Sequence, residues 1–532
     1  MVTKLRTYLL VFTLLFFAGG MFAQPPQTYK ADPDEAAKAF KNNNYTAALK
    51  MYLLLLKKEP KNKDWNLKVA ACYVLSNSIK AKAIPYVEFL LKEEPVDAEV
   101  YYYAGMAYHF ANRFDDAIKM YTKYKEKKPK QTDEMDRMIE QCVNGKELVK
   151  HPLSVTFENM TKDVNTEFPD YYPFVTPDDN TLVFTSRRKS PTAPAPEFDG
   201  LYPSDIFIMT KKPDGKWNKP VPVGTNINTK LDEIGTCLSP DGNTILFYID
   251  HNVGNNPEVG DIWQSKKMNG KGQFLASQKL NDTINDGFET AAYYWKSPDG
   301  EDGDLIFFAS SRPGNFGMTD LYFCKKLPNG NWGYPQNMGD KINTKYKEDF
   351  PIISPDGKTL YFASQGHSSM GGFDIFKCIW DESEGTWSAP RNMGYPVNTA
   401  DDNLVITFIE GGRIGYMTAM REEGMGDLDI YRVTIEDVEG KETIYRGFIL
   451  AGDSNGAKIK NATISVENKK TKELYGTYLP NPDKGYYVMA LPPGKWIVNI
   501  EAEGYMIYSE EVVVFDYTGF KPEVVKDFKL KK

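Results

Sequence analysis

The residues of this chain that could carry chemistry are scattered rather than gathered in one motif. Its four histidines lie far apart, at positions 109, 151, 251 and 367 of 532. A serine nucleophile often stands in a Gly-x-Ser-x-Gly turn between a strand and a helix. In the nearest segment, Gly366-His-Ser-Ser-Met-Gly371, Met370 stands where the second glycine should be. The sequence therefore predicts no catalytic, cofactor-binding or metal-binding residues, and we expect no enzyme.

Five aspartates recur at spacings of 56, 59, 54 and 55 residues, and each precedes an apolar run. They are Asp205, Asp261, Asp320, Asp374 and Asp429. A metal site is one interpretation, but one carboxylate per repeat does not make a coordination sphere. A recurring aspartate suits the capping of backbone N–H groups where a strand begins. We predict that structural role.

The five cysteines show no Cys-x-x-Cys spacing and no metal-like cluster with histidine. They are Cys72, Cys142, Cys237, Cys324 and Cys378. Cys324 and Cys378 occupy the same place in successive repeats, where equivalent positions are usually too far apart to bond. The prediction is buried free thiols.

The same repeat carries a Pro-Asp turn before an alternating strand, as in Ser239–Gly242 and Ser354–Gly357, and an Asn-Thr pair near its end, as in Asn228-Thr229. Asp-Gly between apolar runs is a hairpin signal because glycine supplies the positive φ of the turn. Four short strands per repeat form one blade of a β-propeller. Residues 152–437 are therefore predicted to form five blades. A strand at Val155 should close the ring by pairing with the last blade.

A different repeat precedes the propeller. Pro60, Pro95 and Pro129 end similar segments that are 35 and 34 residues apart. This period, with two helices per unit, resembles tetratricopeptide repeats, predicted over residues 30–150 with a capping helix at the end. Such arrays present a concave groove. On this register the protein-binding groove would carry Phe40, Val74, Tyr102, Met106 and His109, with core packing as the alternative for each.

Short alternating strands joined by glycine, proline and asparagine turns predict a small β-sandwich over residues 440–532. Gly485-Tyr486, Leu491–Trp496 and Glu503–Tyr505 follow one another in an order that resembles the carboxypeptidase-regulatory-like domain. That domain is a transthyretin-like sandwich without catalytic residues of its own. The predicted fold class is therefore multidomain: α-helical tetratricopeptide repeats, then a five-bladed β-propeller, then a small transthyretin-like β-sandwich.

The N-terminus predicts export. Lys4 and Arg6 precede the apolar run Tyr8–Ala18, and Ala23-Gln24 suits cleavage, so residues 1–23 are interpreted as a signal peptide. That run is short for a membrane span, and no other apolar stretch is long enough for one. We expect a periplasmic protein, free or associated with the outer membrane. The net charge of −8 argues against nucleic acid as a partner.

The repeats after residue 152 resemble the PD40 type of propeller found in the periplasmic TolB family. With helical repeats before and a sandwich after, the chain resembles a family of Gram-negative envelope proteins associated with type IX secretion. Longer members of that family add an OmpA-like domain that grips peptidoglycan. Nothing resembling it follows the sandwich here, so peptidoglycan binding is not expected.

The resemblance implies a non-enzymatic periplasmic scaffold or adaptor, without a cofactor, that contacts envelope proteins of an outer-membrane or secretion complex. The alternative is a propeller-based binder or sensor of a small glycan or peptide. A catalytic site built from scattered carboxylates at the propeller mouth also stays open.

Overall fold

The computed structural model describes residues 29–130, 132–250, 260–268, 272–297, 303–381, 385–409, 412–436, 442–452, 456–514, 521 and 523–532. The predicted signal peptide, residues 1–23, lies outside these ranges. No helix in the described part of the chain is both long enough and apolar enough to cross a membrane.

The first part of the described chain is helical. Its α-helices are Pro33–Lys41 (α1), Tyr45–Lys58 (α2), Lys63–Leu75 (α3), Ile84–Leu90 (α4), Ala98–Phe110 (α5), Phe114–Lys127 (α6) and Thr132–Leu148 (α7), with a 3₁₀ turn at Lys80–Ala83. The Asp32 carboxylate caps α1 by accepting the amides of Asp34 and Glu35, both at 3.0 Å. Helices α5 and α6 meet at Gly105, where a Cβ would lie 2.4 Å from the Tyr121 ring. Glycine is therefore required at that crossing.

The predicted fold class needs correction in this helical part. The described chain is mostly β, with seven short α-helices, and the tetratricopeptide assignment was wrong. The second expected unit is broken into a 3₁₀ turn and the seven-residue helix α4, which starts with Pro85 in its first turn. Met370 of the propeller is fully buried in the core that α3, α5, α6 and α7 share. A loop from another part of the chain thus completes the helical core, so the helices are not a free-standing repeat array.

The β-propeller is confirmed, and its strands form five antiparallel sheets. The first blade contains Asp170–Val175 (β2), Thr181–Ser186 (β3), Asp205–Thr210 (β4) and Val221–Pro222 (β5), and the second contains Asp232–Leu238 (β6), Thr244–Asp250 (β7), Gly260–Lys266 (β8) and Gln278–Lys279 (β9). The third contains Glu289–Trp295 (β10), Leu305–Ser310 (β11), Asp320–Lys325 (β12) and Gln336–Asn337 (β13). The fourth contains Glu348–Ile353 (β14), Thr359–Ser364 (β15), Asp374–Asp381 (β16), Thr386–Trp387 (β17) and Arg391–Asn392 (β18). The fifth joins Ile406–Phe408 (β19), Ile414–Ala419 (β20) and Asp429–Ile435 (β21) to Val155–Asn159 (β1).

The ring closes as the sequence predicted, because β1 pairs antiparallel with β21. An asparagine reinforces the closure: the Asn165 side chain accepts the Ile430 amide at 2.9 Å and donates to the Ile430 carbonyl at 3.0 Å. Asn228 holds Ile206 in the same way. The Asn-Thr signal of the sequence therefore marks an asparagine whose side chain forms two hydrogen bonds with the backbone of the third strand of the preceding blade.

The last part of the described chain is a sandwich of two sheets. One sheet contains Thr443–Ala451 (β22), Tyr486–Leu491 (β25), Glu523–Val525 (β28) and Phe528–Leu530 (β29); the other contains Ala462–Asn468 (β23), Leu474–Tyr478 (β24), Gly494–Ala502 (β26) and Tyr508–Val514 (β27). Their facing side chains, including Tyr487, Trp496 and Phe528, form a separate core.

Candidate functional site

Two residues of the predicted groove are interior. Val74 is buried in the core of the helical segment. His109 is buried as well, and its Nε2 donates to the Met370 carbonyl at 2.8 Å. Burial lowers the pKa of His109 to about 4, so the ring is neutral at physiological pH. His109 thus holds a propeller loop against the helices.

The other three groove residues are half-buried. The Lys68 ammonium lies 4.3 Å above the Phe40 ring, and the Tyr102 hydroxyl donates to Glu134 at 3.3 Å. Met106 packs against the helical core. Partner binding by these residues remains a prediction.

The segment that came nearest to a nucleophile turn is a docking loop. Ser369 is fully buried, and its Oγ accepts bonds from Arg137 at 2.7 Å and from Gln141 at 3.2 Å. Ser368 is exposed. The nearby His367 ring directs Nε2 to the Ile342 carbonyl at 2.8 Å instead of to a serine. The loop joins modules and does not assemble a nucleophile with its base.

Three of the five recurring aspartates cap backbone amides, as the sequence predicted. Asp320 accepts the amides of Phe316 and Gly317 at 2.9 and 3.1 Å. Asp374 and Asp429 each accept one loop amide in the same way, at 2.9 and 2.6 Å. Of the other two, Asp205 accepts the hydroxyls of Ser190 and Thr192, and Asp261 forms an ion pair with Lys279. Within the described ranges, no three His, Cys, Asp or Glu side chains are grouped to hold a metal ion.

The first strand of each blade lines the central channel, and rings from two of these strands close it. Tyr172 on β2 and Phe350 on β14 lie with ring centroids 4.5 Å apart. Their blades are not neighbours in the ring, so the contact spans the channel. Both residues have positive φ, 53° and 50°, at bulges in their strands. The bulges turn these side chains inward, and the rings make an aromatic floor.

Carboxylates and hydroxyls surround this floor on one face of the propeller. The charges of Asp349 and Asp402 both raise the pKa of the Tyr172 phenol, which burial already raises. Tyr248 lies in the same group, because Tyr172 and Asp349 act on its pKa too. We call Tyr171, Tyr172, Tyr248, Asp349, Phe350 and Asp402 the channel mouth.

Asp349 is the most perturbed carboxyl of the channel mouth. Its Oδ1 accepts the Thr290 hydroxyl and the Phe350 amide, both at 2.8 Å. Burial raises the pKa of Asp349 to about 6, although these hydrogen bonds and Lys347 oppose the shift. Desolvation therefore dominates, and the group changes protonation state near neutral pH.

A cation stands at one side of the channel mouth, but it is already paired. Arg187 donates to Asp199 and to Glu197, each at 2.7 Å. Next to it, the Tyr171 hydroxyl lies 2.9 Å from Ser204 Oγ, and the Ser204 amide donates to Asp232 at 2.7 Å. Lys347 is a second cation, beside Asp349, but Asp232, Asp349 and Asp402 outnumber it, so the electrostatic character of the channel mouth is acidic.

Sequence reasoning did not find the channel mouth, although a signal was present. In four blades the inner strand has a buried acid at one position, where the fifth blade has the buried Asn403, and the next position varies between blades. The varying residues are Tyr171, Ile234, Thr290, Asp349 and Leu404. A residue that differs between blades at an inward-facing position is therefore the signal that could have identified the channel mouth.

Comparison with known proteins gives neither a family nor a curated relative, since no family model matches and no curated protein matches. Among solved structures, the chain is similar to a protein titled glycoside hydrolase, with 8% identity and a TM-score of 0.38, covering 56% of this chain and 95% of that one. An endo-arabinase from Bacteroides thetaiotaomicron matches with 11% identity and a TM-score of 0.34, covering 54% and 99%. An α-L-arabinofuranosidase from Podospora anserina in complex with cellotriose matches with 10% identity and a TM-score of 0.31, covering 53% and 98%.

These findings correct the family and the function drawn from the sequence. The type IX secretion scaffold resemblance was wrong: no family model matches the chain, and the three solved structures named above carry glycosidase titles. The non-enzymatic adaptor function and the expectation of no enzyme fall with it. With TM-scores below 0.5, what the channel mouth binds has to be argued from its own residues.

Proposed function

We propose that the channel mouth binds a saccharide that carries no acidic groups. The observation that supports this is the aromatic floor of Tyr172 and Phe350 beneath the carboxylates of Asp349 and Asp402. A sugar ring presents C–H faces, which pack on aromatic rings, and hydroxyls, which donate to carboxylates. Sites for small molecules combine an apolar surface with a few convergent polar groups in this way.

The charge of the site narrows the class of sugar. Asp232 and Asp349 add negative charge, and the nearby Arg187 is committed to Glu197 and Asp199. A uronic acid would bring a further carboxylate into this field and be repelled. Neutral sugars avoid that repulsion.

Isothermal titration with cellohexaose, xylohexaose, arabinohexaose and hexagalacturonate tests the proposal. We expect at least one neutral hexasaccharide to bind and hexagalacturonate not to bind. Tyr172→Ala and Asp349→Asn should each weaken binding about tenfold or more, since the first removes the packing surface and the second removes the charged acceptor. Tyr334→Ala and Asp340→Asn, at exposed positions away from the channel mouth, are the matched controls. Binding of hexagalacturonate alone, or of no hexasaccharide, would overturn the proposal.

Hydrolysis of the bound glycan is a second candidate, favoured by the raised pKa of Asp349, about 6. A carboxyl that is about half protonated near pH 6 can protonate a glycosidic oxygen as a general acid there. New reducing ends released from the bound hexasaccharide, and their loss in Asp349→Asn, would establish this activity. Stable hexasaccharide in the presence of wild-type protein would leave binding alone.

The periplasmic location belongs to the same proposal. A glycan-binding protein with a signal peptide at residues 1–23 would meet its ligand outside the cytoplasm. Fractionation of the native cells tests this, and recovery in the cytoplasm would contradict it. Contacts with other envelope proteins also remain a prediction, which a pull-down from the envelope fraction would test.

A further inference from the structure

Two large apolar side chains are exposed on the loop between β11 and β12, in the third blade. Phe316 is 53% exposed and Met318 is 58% exposed. The loop connects the second strand of the blade to the third, so it lies on the face that carries the channel mouth. Neighbouring exposed apolar side chains on one loop often mark a surface that receives a ligand.

The backbone ties this loop to the strand that carries Asp349. The Met318 amide donates to the Tyr346 carbonyl at 2.9 Å, and the Glu348 amide donates to the Thr319 carbonyl at 3.0 Å. A Cβ on Gly317 would lie 2.2 Å from the Tyr346 carbonyl oxygen, so the loop lies flat on this segment. Asp349 follows Glu348 directly. The exposed pair therefore sits beside the rim of the channel mouth.

The helical segment covers other parts of the same face. Lys80 forms an ion pair with Asp401, at the entry to the fifth blade. Asn77 is hydrogen-bonded to Asp427 in the fifth blade. In the first blade, a Cβ on Gly200 would lie 2.5 Å from the Asn44 amide nitrogen. The helices thus cover parts of the first and fifth blades.

A buried arginine on α7 joins the helical segment to the fourth blade. The Arg137 guanidinium donates to the Gly366 carbonyl at 2.9 Å and to Ser369 Oγ at 2.7 Å. The Arg137 Cζ also lies 4.6 Å from the centre of the Tyr346 ring, next to the Met318 loop. Arg137 is only 9% exposed, so this contact is part of the folded core. A chain that leaves the channel mouth is then directed towards the second and third blades, and the exposed pair lies on the third.

We propose that Phe316 and Met318 form an outer subsite for an oligosaccharide whose inner sugar lies in the channel mouth. This inference rests on the proposed saccharide function and extends it from a single sugar to a chain. The inner sugar packs on Tyr172, and a later sugar of the chain packs on Phe316. The ligand class is therefore a neutral oligosaccharide longer than a disaccharide.

Titration of cello-, xylo- and arabino-hexasaccharides and their disaccharides against wild type and variants tests the subsite. Phe316→Ala should weaken the hexasaccharide about tenfold and leave the disaccharide unchanged, because only the longer chain reaches the loop. Met318→Ala should act in the same direction. Tyr334→Ala is the matched control, since Tyr334 is 83% exposed on the same blade but follows its third strand, on the opposite face.

The outcomes separate the two proposals. Equal weakening of the hexasaccharide and the disaccharide by Phe316→Ala, or no weakening of either, would overturn the subsite while the channel mouth stands. Failure of every sugar to bind wild-type protein would overturn the proposed function itself. The melting temperature of each variant, expected to match wild type at these exposed positions, shows that the fold is kept.

Discussion

Two kinds of carboxyl group lie on the same face of the propeller, and they differ in whether the blades repeat them. Asp429 belongs to the recurring set: it is fully buried and accepts the Met425 amide at 2.6 Å and the Asn159 side chain at 2.9 Å. Asp349 belongs to a position that varies from blade to blade, half-buried above an aromatic floor. Recurrence indicates a role in building every blade, whereas departure from the repeat indicates a role in one place.

The largest expected effect follows from deleting a recurring carboxylate. Asp429→Ala leaves the Met425 amide and the Asn159 side chain without their acceptor, so the free energy of unfolding should fall by roughly 3 kcal/mol. Calorimetry of the propeller transition measures this. Asp340→Ala, at an exposed position, is the control. An unchanged transition temperature in Asp429→Ala would contradict the comparison, because it would show that a recurring aspartate does not stabilise its blade.

The next effect is a pH dependence that Asp349 should impose on stability. Its ordinary pKa is 3.8, and burial raises the pKa of Asp349 to about 6 in the fold. Below about pH 4 Asp349 is protonated in both the folded and the unfolded state, so its titration does not change the free energy of unfolding. Between about pH 4 and pH 6 the unfolded state releases its proton first, so the folded state loses stability, by roughly 3 kcal/mol in all.

Asp349→Asn should remove this loss, because an amide does not titrate. The variant should match wild type at pH 3.5 and be more stable at pH 7, while binding saccharide more weakly. Urea denaturation across the pH range measures the difference. A difference that stays constant with pH would contradict the raised pKa of Asp349.

The smallest effect concerns the thiols. All five cysteines are buried and unpaired, and burial raises the pKa of Cys324 to about 12. Ellman's reagent should therefore not react with the native protein and should find five thiols in denaturant. Cys324→Val, which keeps the side chain apolar, should leave saccharide binding unchanged. Fast reaction of a thiol in the native protein would contradict this prediction, because it would show that at least one cysteine is accessible and reactive.

The comparison also shows how far prediction from sequence reached. The recurring aspartates and the closure of β1 on β21 were predictable, since each leaves a local or periodic signal. The helical part was predicted with the wrong class, because its core includes Met370 from a propeller loop more than two hundred residues away. No period in the helical sequence can report a contact supplied from elsewhere.

The sequence by itself determined the blades. Aspartates that cap loop amides and asparagines that clasp the preceding blade act over short, repeating distances, so their spacing is written along the chain. Only the tertiary structure decided the channel mouth, because closing the ring brings Tyr172 and Phe350 together from blades that are not neighbours. The same ring closure buries Asp349, and desolvation, which depends on everything packed around a group, sets its chemistry.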